Sequence, residues 1–301
     1  MVTMMPRIVL CTGLLLMSTL APAQTTTLLA NESEFAQQFD TGLLWQIDNG
    51  SSNPSFLFGT MHVEDPRITE LPGPVLETFN NSASLTTEAL LDLEQMLQAG
   101  TELLLVDGNS LQDLIGAELF GKISAALTAQ GMPPQIASLL KPWAVAILLT
   151  QPQAQSGMFL DRKLYDLAQQ QGKSLYGLET LQEQLQVFNT MSIDDQITLL
   201  EETLAELSMI PDIIEQLTQA YLARDLKRLT TLANEQFSQS RVQRQLRQQL
   251  LIDRNLKMVN RMQTRLREGS AFISVGALHL SGPEGLLNLL QQMGYELTRV
   301  Y

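Results

Sequence analysis

Short apolar runs stand near both ends of the chain, and the long stretches between them carry apolar residues at helical spacing. Leu43–Ile47, with Trp45 as its anchor, reads as a strand. The turn-forming sequence Asn49-Gly50-Ser51-Ser52-Asn53-Pro54 follows, and Phe56–Phe58 resumes as a second strand, so a hairpin is expected. Val75–Asn80 predicts a short helix and Ala83–Thr87 a strand. From Leu90 to about Gln170 the pattern is helical, with breaks near Gly108-Asn109, Gly131–Pro134 and Gln151–Gln155. Ser110 sits as the cap of the helix that opens at Leu111. Ser174–Tyr176 predicts a further strand. Ser192 to about Arg267 is rich in Gln, Leu, Glu and Arg and predicts two or three helices, divided at Pro211 and Ala223–Leu226. Ser192 caps this run, with Asp195 at the third helical position. Phe272–Val275 is a strand, Pro283–Met293 a helix and Glu296–Val300 an edge strand. Strands from both chain ends around a large helical insertion predict a mixed α/β fold, a central sheet under helical cover.

The first residues change the picture of where the chain works. Arg7, the uncharged apolar run Ile8–Leu20 and the small residues of Ala21-Pro22-Ala23 form the three parts of a signal peptide, with cleavage expected after Ala23. Cys11 lies in this segment, preceded by Leu10 rather than a small residue, so no lipoprotein is expected. Residues 24–40 are polar and read as a loose start to the mature chain. Residues 24–301 keep 18 of the 19 basic side chains and all 32 acidic ones, a formal charge of −14. That balance argues against nucleic acid and against anionic membrane surfaces as partners. The mature chain holds no cysteine, which removes disulfides, thiolate nucleophiles and thiolate-bound zinc together. A secreted protein, or one of the periplasm of a Gram-negative bacterium, is the expected setting, with no stable membrane anchor once the signal is gone. Leu139–Thr150 is apolar but too short to span a bilayer, and Lys141 and Pro142 interrupt it.

Within this frame one arrangement recurs four times. A short apolar strand ends and a side chain able to bind a metal or move a proton follows: Gly59-Thr60-Met61-His62 after Phe56–Phe58, Glu88 after Ala83–Thr87, Gly177-Leu178-Glu179 after Ser174–Tyr176, and Gly276-Ala277-Leu278-His279 after Phe272–Val275. Functional groups of α/β sheets gather beyond the carboxyl ends of strands. The glycines are expected to supply tight turns or close backbone approach. His62 and His279 are the two histidines of the chain and share a Gly-x-x-His frame. Two imidazoles and two carboxylates form a ligand set suited to Zn²⁺, Mn²⁺, Co²⁺ or Fe²⁺, with a spare glutamate as general base for a metal-activated water. No Gly-x-Ser-x-Gly elbow is present to suggest a serine nucleophile.

The ordered set of motifs resembles the TraB/GumN family. The resemblance rests on Leu44-Trp45-Gln46-Ile47, Phe56-Leu57-Phe58-Gly59-Thr60-Met61-His62-Val63 and Leu71-Pro72. It continues with Asp161, Gly177-Leu178-Glu179-Thr180 with Glu183-Gln184, and Arg254-Asn255. Val275-Gly276-Ala277-Leu278-His279-Leu280 with Gly282 and Gly285, then Gly294-Tyr295, complete it. It covers essentially the whole mature chain, 24–301. The family includes the Tiki proteases, which use a divalent metal to cleave peptides near the N-terminus of an extracellular signal protein, and it is similar to the erythromycin-esterase and ChaN-like fold group. The resemblance implies His62, Glu88, Glu179 and His279 as metal ligands, with Glu88 and Arg254 catalytic and Asp161 and Asn255 holding substrate. It implies a metal-dependent hydrolase of peptide or small-molecule substrates, most simply a peptidase, using Mn, Co or Zn. Family members linked to sequestering a peptide pheromone imply the alternative, a non-catalytic binder of peptide, haem or metal.

Overall fold

A computed structural model describes residues 39–301, apart from 49, 51–52, 107, 152–156 and 238–239. The signal peptide and most of the polar segment after it lie outside the described residues, as do Asn49, Ser51 and Ser52 of the first turn. Six strands form one sheet: β1 (Leu44–Asp48), β2 (Ser55–Thr60), β3 (Ser84–Ala89), β4 (Ser174–Glu179), β5 (Ala271–Gly276) and β6 (Glu296–Arg299). Their order is β4-β3-β5-β2-β1-β6. β1 and β2 pair antiparallel with Leu44 opposite Phe58, which is the expected hairpin. β6 closes that edge antiparallel to β1. β2, β5, β3 and β4 run parallel. The four candidate segments therefore deliver their side chains to the same end of the sheet. The mixed α/β fold predicted from the hydrophobic pattern is the fold observed.

The strand faces explain their composition. Parallel strands covered on both sides by helices carry continuous apolar runs. β5 is Ala-Phe-Ile-Ser-Val-Gly, buried from Ala271 to Val275. Its Phe272 packs edge-on against Phe79 and beside Phe58, with ring centroids 5.4 and 5.8 Å apart.

Helices fill the rest. The capping box predicted at Ser110 forms with Asp113, and the Ser192 hydroxyl accepts from the Asp195 N–H. The apolar run before Thr150 becomes the helix Pro142–Thr150, buried nearly all round, with Trp143 stacked on Phe188 at 5.1 Å. No helix among the described residues is long and apolar enough to cross a membrane. The Gln-rich run divides more finely than expected, into Ile193–Glu206, Ile210–Leu222, Leu226–Phe237, Arg241–Arg247 and Asp253–Glu268. Pro211 lies in the first turn of its helix, where its missing N–H costs nothing, so the break falls just before it rather than at it. Between Arg247 and Asp253, residues Gln248–Ile252 form a π-helical turn, and the flanking residues keep helical backbone angles on both sides. A single rod thus carries one wide turn immediately before Arg254.

Two apolar clusters result. One surrounds the sheet and includes Leu85, Leu178, Met258 and Ala277. The other sits among the inserted helices and includes Ala89, Leu181, Leu250 and Leu251. Leu278 touches both. Glu88, Glu179, Arg254 and His279 fall in the chain between members of one cluster and members of the other, so the polar residues mark the seam.

Candidate active site

The strands extend further than the hydrophobic pattern predicts. Glu88 and Glu179 do not follow their strands; each lies inside the last positions of one, with Ala89 of β3 in register with Glu179 of β4. Parallel pairing supplies the ladder bonds that Thr86, Thr87 and Gly177 do not advertise locally. The three motif glycines also act differently from the expectation of tight turns. Gly59, Gly177 and Gly276 all keep negative φ. What they provide is room. A Cβ on Gly59 would stand 2.7 Å from Leu280 Cδ1 and 3.1 Å from Ala277 Cα, and one on Gly276 would stand 3.3 Å from Glu88 Oε1.

Glu88 is the hub. Its Oε1 accepts the Gly276 N–H at 2.6 Å, and its Oε2 accepts from Arg254 Nη2 at 2.5 Å and from Gln184 Nε2 at 3.3 Å. Arg254 Nε donates to Glu179 Oε2 at 2.8 Å, and Nη1 donates to the Leu250 carbonyl at 3.3 Å. Arg254 is only 2% exposed. A guanidinium this deep, between two carboxylates, is engaged by the protein's own groups. The expectation that it clamps a substrate carboxylate or oxyanion gives way to an internal role: it neutralises Glu88 and Glu179.

His279 is oriented through Asn255. The Asn255 Nδ2 donates to the Glu284 carbonyl at 2.7 Å, which leaves Oδ1 facing His279 Nδ1, also at 2.7 Å. Nδ1 therefore carries the proton, and in the neutral ring Nε2 keeps its lone pair, 3.7 Å from Glu88 Oε1. Asn255 was expected to hold substrate; both ends of its amide are instead engaged inside the protein. On the far side of β5, Thr60 Oγ1 donates to Asp161 Oδ1 at 2.9 Å, and His62 Nε2 lies 3.3 Å from Asp161 Oδ2. Asp161, also expected to hold substrate, is buried against this strand end. Tyr221 donates to the Gly59 carbonyl at 2.8 Å and steadies the segment leading to His62. Phe159 lies against the His62 ring, centroids 5.3 Å apart.

Charge follows this geometry. Burial pushes the Glu88 carboxyl up, but Arg254, the two imidazoles and the Gly276 N–H more than reverse it, so Glu88 stays ionised well below the ordinary carboxylate range. Burial pushes Asp161 up; His62 and Thr60 oppose this and the Glu88 charge adds to it, leaving the carboxyl raised. Burial lowers His279 to about 4, with the Glu88 charge offsetting only part of the loss.

The last shift has a measurable consequence for the metal-free protein. The folded His279 pKa, about 4, lies below its ordinary 6.5, so the unfolded chain takes up the proton first. The stabilising contribution is complete above 6.5, shrinks by about 1.4 kcal/mol per pH unit below it, and is lost by about pH 4, some ~3 kcal/mol in all. Denaturant unfolding in chelator should show this decline between pH 6.5 and 4, and His279→Asn should flatten it.

Gln184 and Thr60 are part of this site although no role was assigned to them from sequence. Gln184 had a signal: it shares the inward face of the Leu181–Asn189 helix with Leu181, Leu185 and Phe188, all buried. Thr60 and Tyr221 had none, since their partners lie 101 and 162 residues away.

As cation donors, the residues fit in type and in the bite of two pairs, His279 Nε2 with Glu88 Oε1 and His62 Nε2 with Asp161 Oδ2. Ligands about 2.1 Å from one ion stand roughly 3.4 Å apart in tetrahedral geometry, close to the 3.7 and 3.3 Å observed. Among the described residues no three His, Cys, Asp or Glu side chains gather on a common point. The expected quartet of ligands is thus seen as one donor pair, Glu88 and His279, with Glu179 turned to Arg254 and His62 to Asp161.

Comparison with known proteins agrees with this framework. The chain is 26% identical over 243 residues to the uncharacterized protein YbaP of Shigella flexneri, covering 79% of this chain and 88% of that protein. It is 26% identical over 241 residues to the protein of the same name from Escherichia coli K12. It is 24% identical over 317 residues to metalloprotease TIKI2 of Xenopus tropicalis, covering 87% of this chain and 60% of that longer protein. No solved structure matches the chain. The model of the TraB/PrgY/gumN family matches residues 43–299, nearly all that is described, and the chain belongs to that family.

Proposed function

We propose that this protein is a divalent-cation-dependent hydrolase acting on peptide bonds at the seam beyond β2, β5, β3 and β4. The observation that carries the reading is the pairing of a neutral, oriented His279 Nε2 with a permanently ionised Glu88, 3.7 Å apart. The distant likeness to metalloproteases supports it. His279 and Glu88 would hold the cation, which when bound would acidify a water and draw off charge from the scissile carbonyl oxygen. Asn255 fixes the histidine tautomer, as groups behind metal-binding histidines commonly do. Arg254 and Gln184 keep Glu88 charged and aimed. A carboxylate so firmly ionised is a weak proton acceptor, so the general-base role expected of Glu88 gives way to an electrostatic one. An exported, periplasmic setting belongs to the same proposal and is supported by the signal-like segment before Gln24.

The test is a mixed peptide library incubated with purified protein, read by mass spectrometry. Cleavage that is abolished by chelator and restored by Mn²⁺, Co²⁺ or Zn²⁺ is expected. Absence of product with every ion would overturn the reading. Stoichiometric recovery of an uncleaved peptide or haem would then favour a binding protein.

A further inference from the structure

We infer that Asp161 is itself a cation ligand, paired with His62 at the end of β2. The inference deepens the proposed function and shares its cation, but it rests on a separate observation. Asp161 Oδ1 is anchored by Thr60 at 2.9 Å. Its other oxygen, Oδ2, is buried and takes no hydrogen bond from any described residue. His62 Nε2 is only 3.3 Å from that oxygen. A ring N–H aimed at an oxygen over this distance makes a hydrogen bond, and none forms. The nitrogen and oxygen are therefore directed beside each other, as two donors facing one point are. Their separation matches that of neighbouring ligands on a divalent ion of borderline hardness, for which a carboxylate and an imidazole are suitable donors.

The arrangement is built in by the chain rather than by chance approach. Asp161 occupies the first turn of the Leu160–Gln170 helix. Thr60 is the last residue of β2, so the same strand end fixes the carboxylate and presents His62 two residues later. Tyr221 holds the carbonyl of Gly59 just before them. A second cation donor pair thus stands beside the Glu88–His279 pair, close enough for the His62 and Glu88 charges to influence each other.

The experiment is isothermal titration of the full chain, stripped of metal, with Mn²⁺ and with Co²⁺, for the parent and Asp161→Asn. Asparagine keeps the size and an oxygen for Thr60 but replaces the anionic ligand atom. The expected result is at least a 10-fold loss of Mn²⁺ affinity together with a changed Co²⁺ visible absorption band. The metal-free variant should melt no lower than the parent, since a buried unpartnered carboxylate has been removed. His62→Gln, at a half-buried position, should weaken Mn²⁺ binding in the same way and covers the case in which Asp161→Asn does not fold. Unchanged affinity and Co²⁺ spectrum in the variants, or no binding of either ion by the parent, would overturn the inference. A parent that binds Mn²⁺ through Asp161 but cleaves no peptide would sink the hydrolytic reading and leave this one standing.

Discussion

Replacing Arg254 by methionine is expected to destabilise the fold by about 3–5 kcal/mol at neutral pH, the usual consequence of removing one partner from a buried ion pair. The guanidinium is 2% exposed and bonds to Glu88 and Glu179. Methionine fills much of the space but leaves two carboxylates in the seam with no counter-charge. They would then resist ionisation, and both would titrate above the ordinary carboxylate range. The sign of the pH response follows. In the parent, Glu88 is held below its unfolded value, so its contribution is present above that value and is lost on acidification. In the variant both folded values are raised, so lowering the pH protonates them and restores stability. Denaturant melts at pH 8 and pH 5 should show the variant gaining on acidification relative to the parent. Adding Glu88→Gln and Glu179→Gln should recover most of the loss. If Arg254→Met is as stable as the parent at pH 8, the ion-pair account of this cluster is wrong.

Glu88→Gln is expected to lower peptide cleavage on the order of 10²- to 10³-fold, the scale on which single preorganised electrostatic groups act, while the fold survives. Glutamine is isosteric, and Arg254 keeps Glu179 as its partner. The substitution still disturbs the local bonding. Glu88 accepts on both oxygens, from Gly276 on one side and from Arg254 and Gln184 on the other. An amide has one acceptor, so one side must meet a donor with a donor. Circular dichroism and the melting temperature report the fold, and kcat/KM on a peptide cleaved by the parent reports the chemistry. Retention of the parent kcat/KM would remove Glu88 from the reaction.

The extent to which all this is legible in the sequence depends on how local each feature is. The β1–β2 hairpin, the cap at Ser110 and the strand-then-histidine pattern at Gly59–His62 and Gly276–His279 are set by neighbouring residues and can be read directly. The last positions of β3 and β4 cannot. Thr86-Thr87-Glu88 and Gly177-Leu178-Glu179 are strand only because β3 and β4 pair with each other, 90 residues apart along the chain. The same holds for the identity of each polar partner. Asp161 and Asn255 carry no local mark that assigns them to His62 and His279 rather than to a ligand. Arg254 lies in a charged helix, Asp-Arg-Asn-Leu-Lys, where a surface ion pair is the natural expectation. Its burial comes from the face that the rod turns to the seam.

That rod gives the π-helical turn at Gln248–Ile252 a meaning beyond backbone irregularity. A wide turn accommodates one residue more than an α-helix does over the same rise. Each residue added to or removed from a helix rotates everything after it by roughly 100°. The single extra residue therefore works like a phase setting. It points Arg254 and Asn255 at Glu88 and His279, while the helix before it packs by a different phase against the inserted helices through Val242 and Leu246. Loop-length changes elsewhere can be absorbed. A one-residue deletion here would leave every site residue in the chain and turn two of them away from their partners.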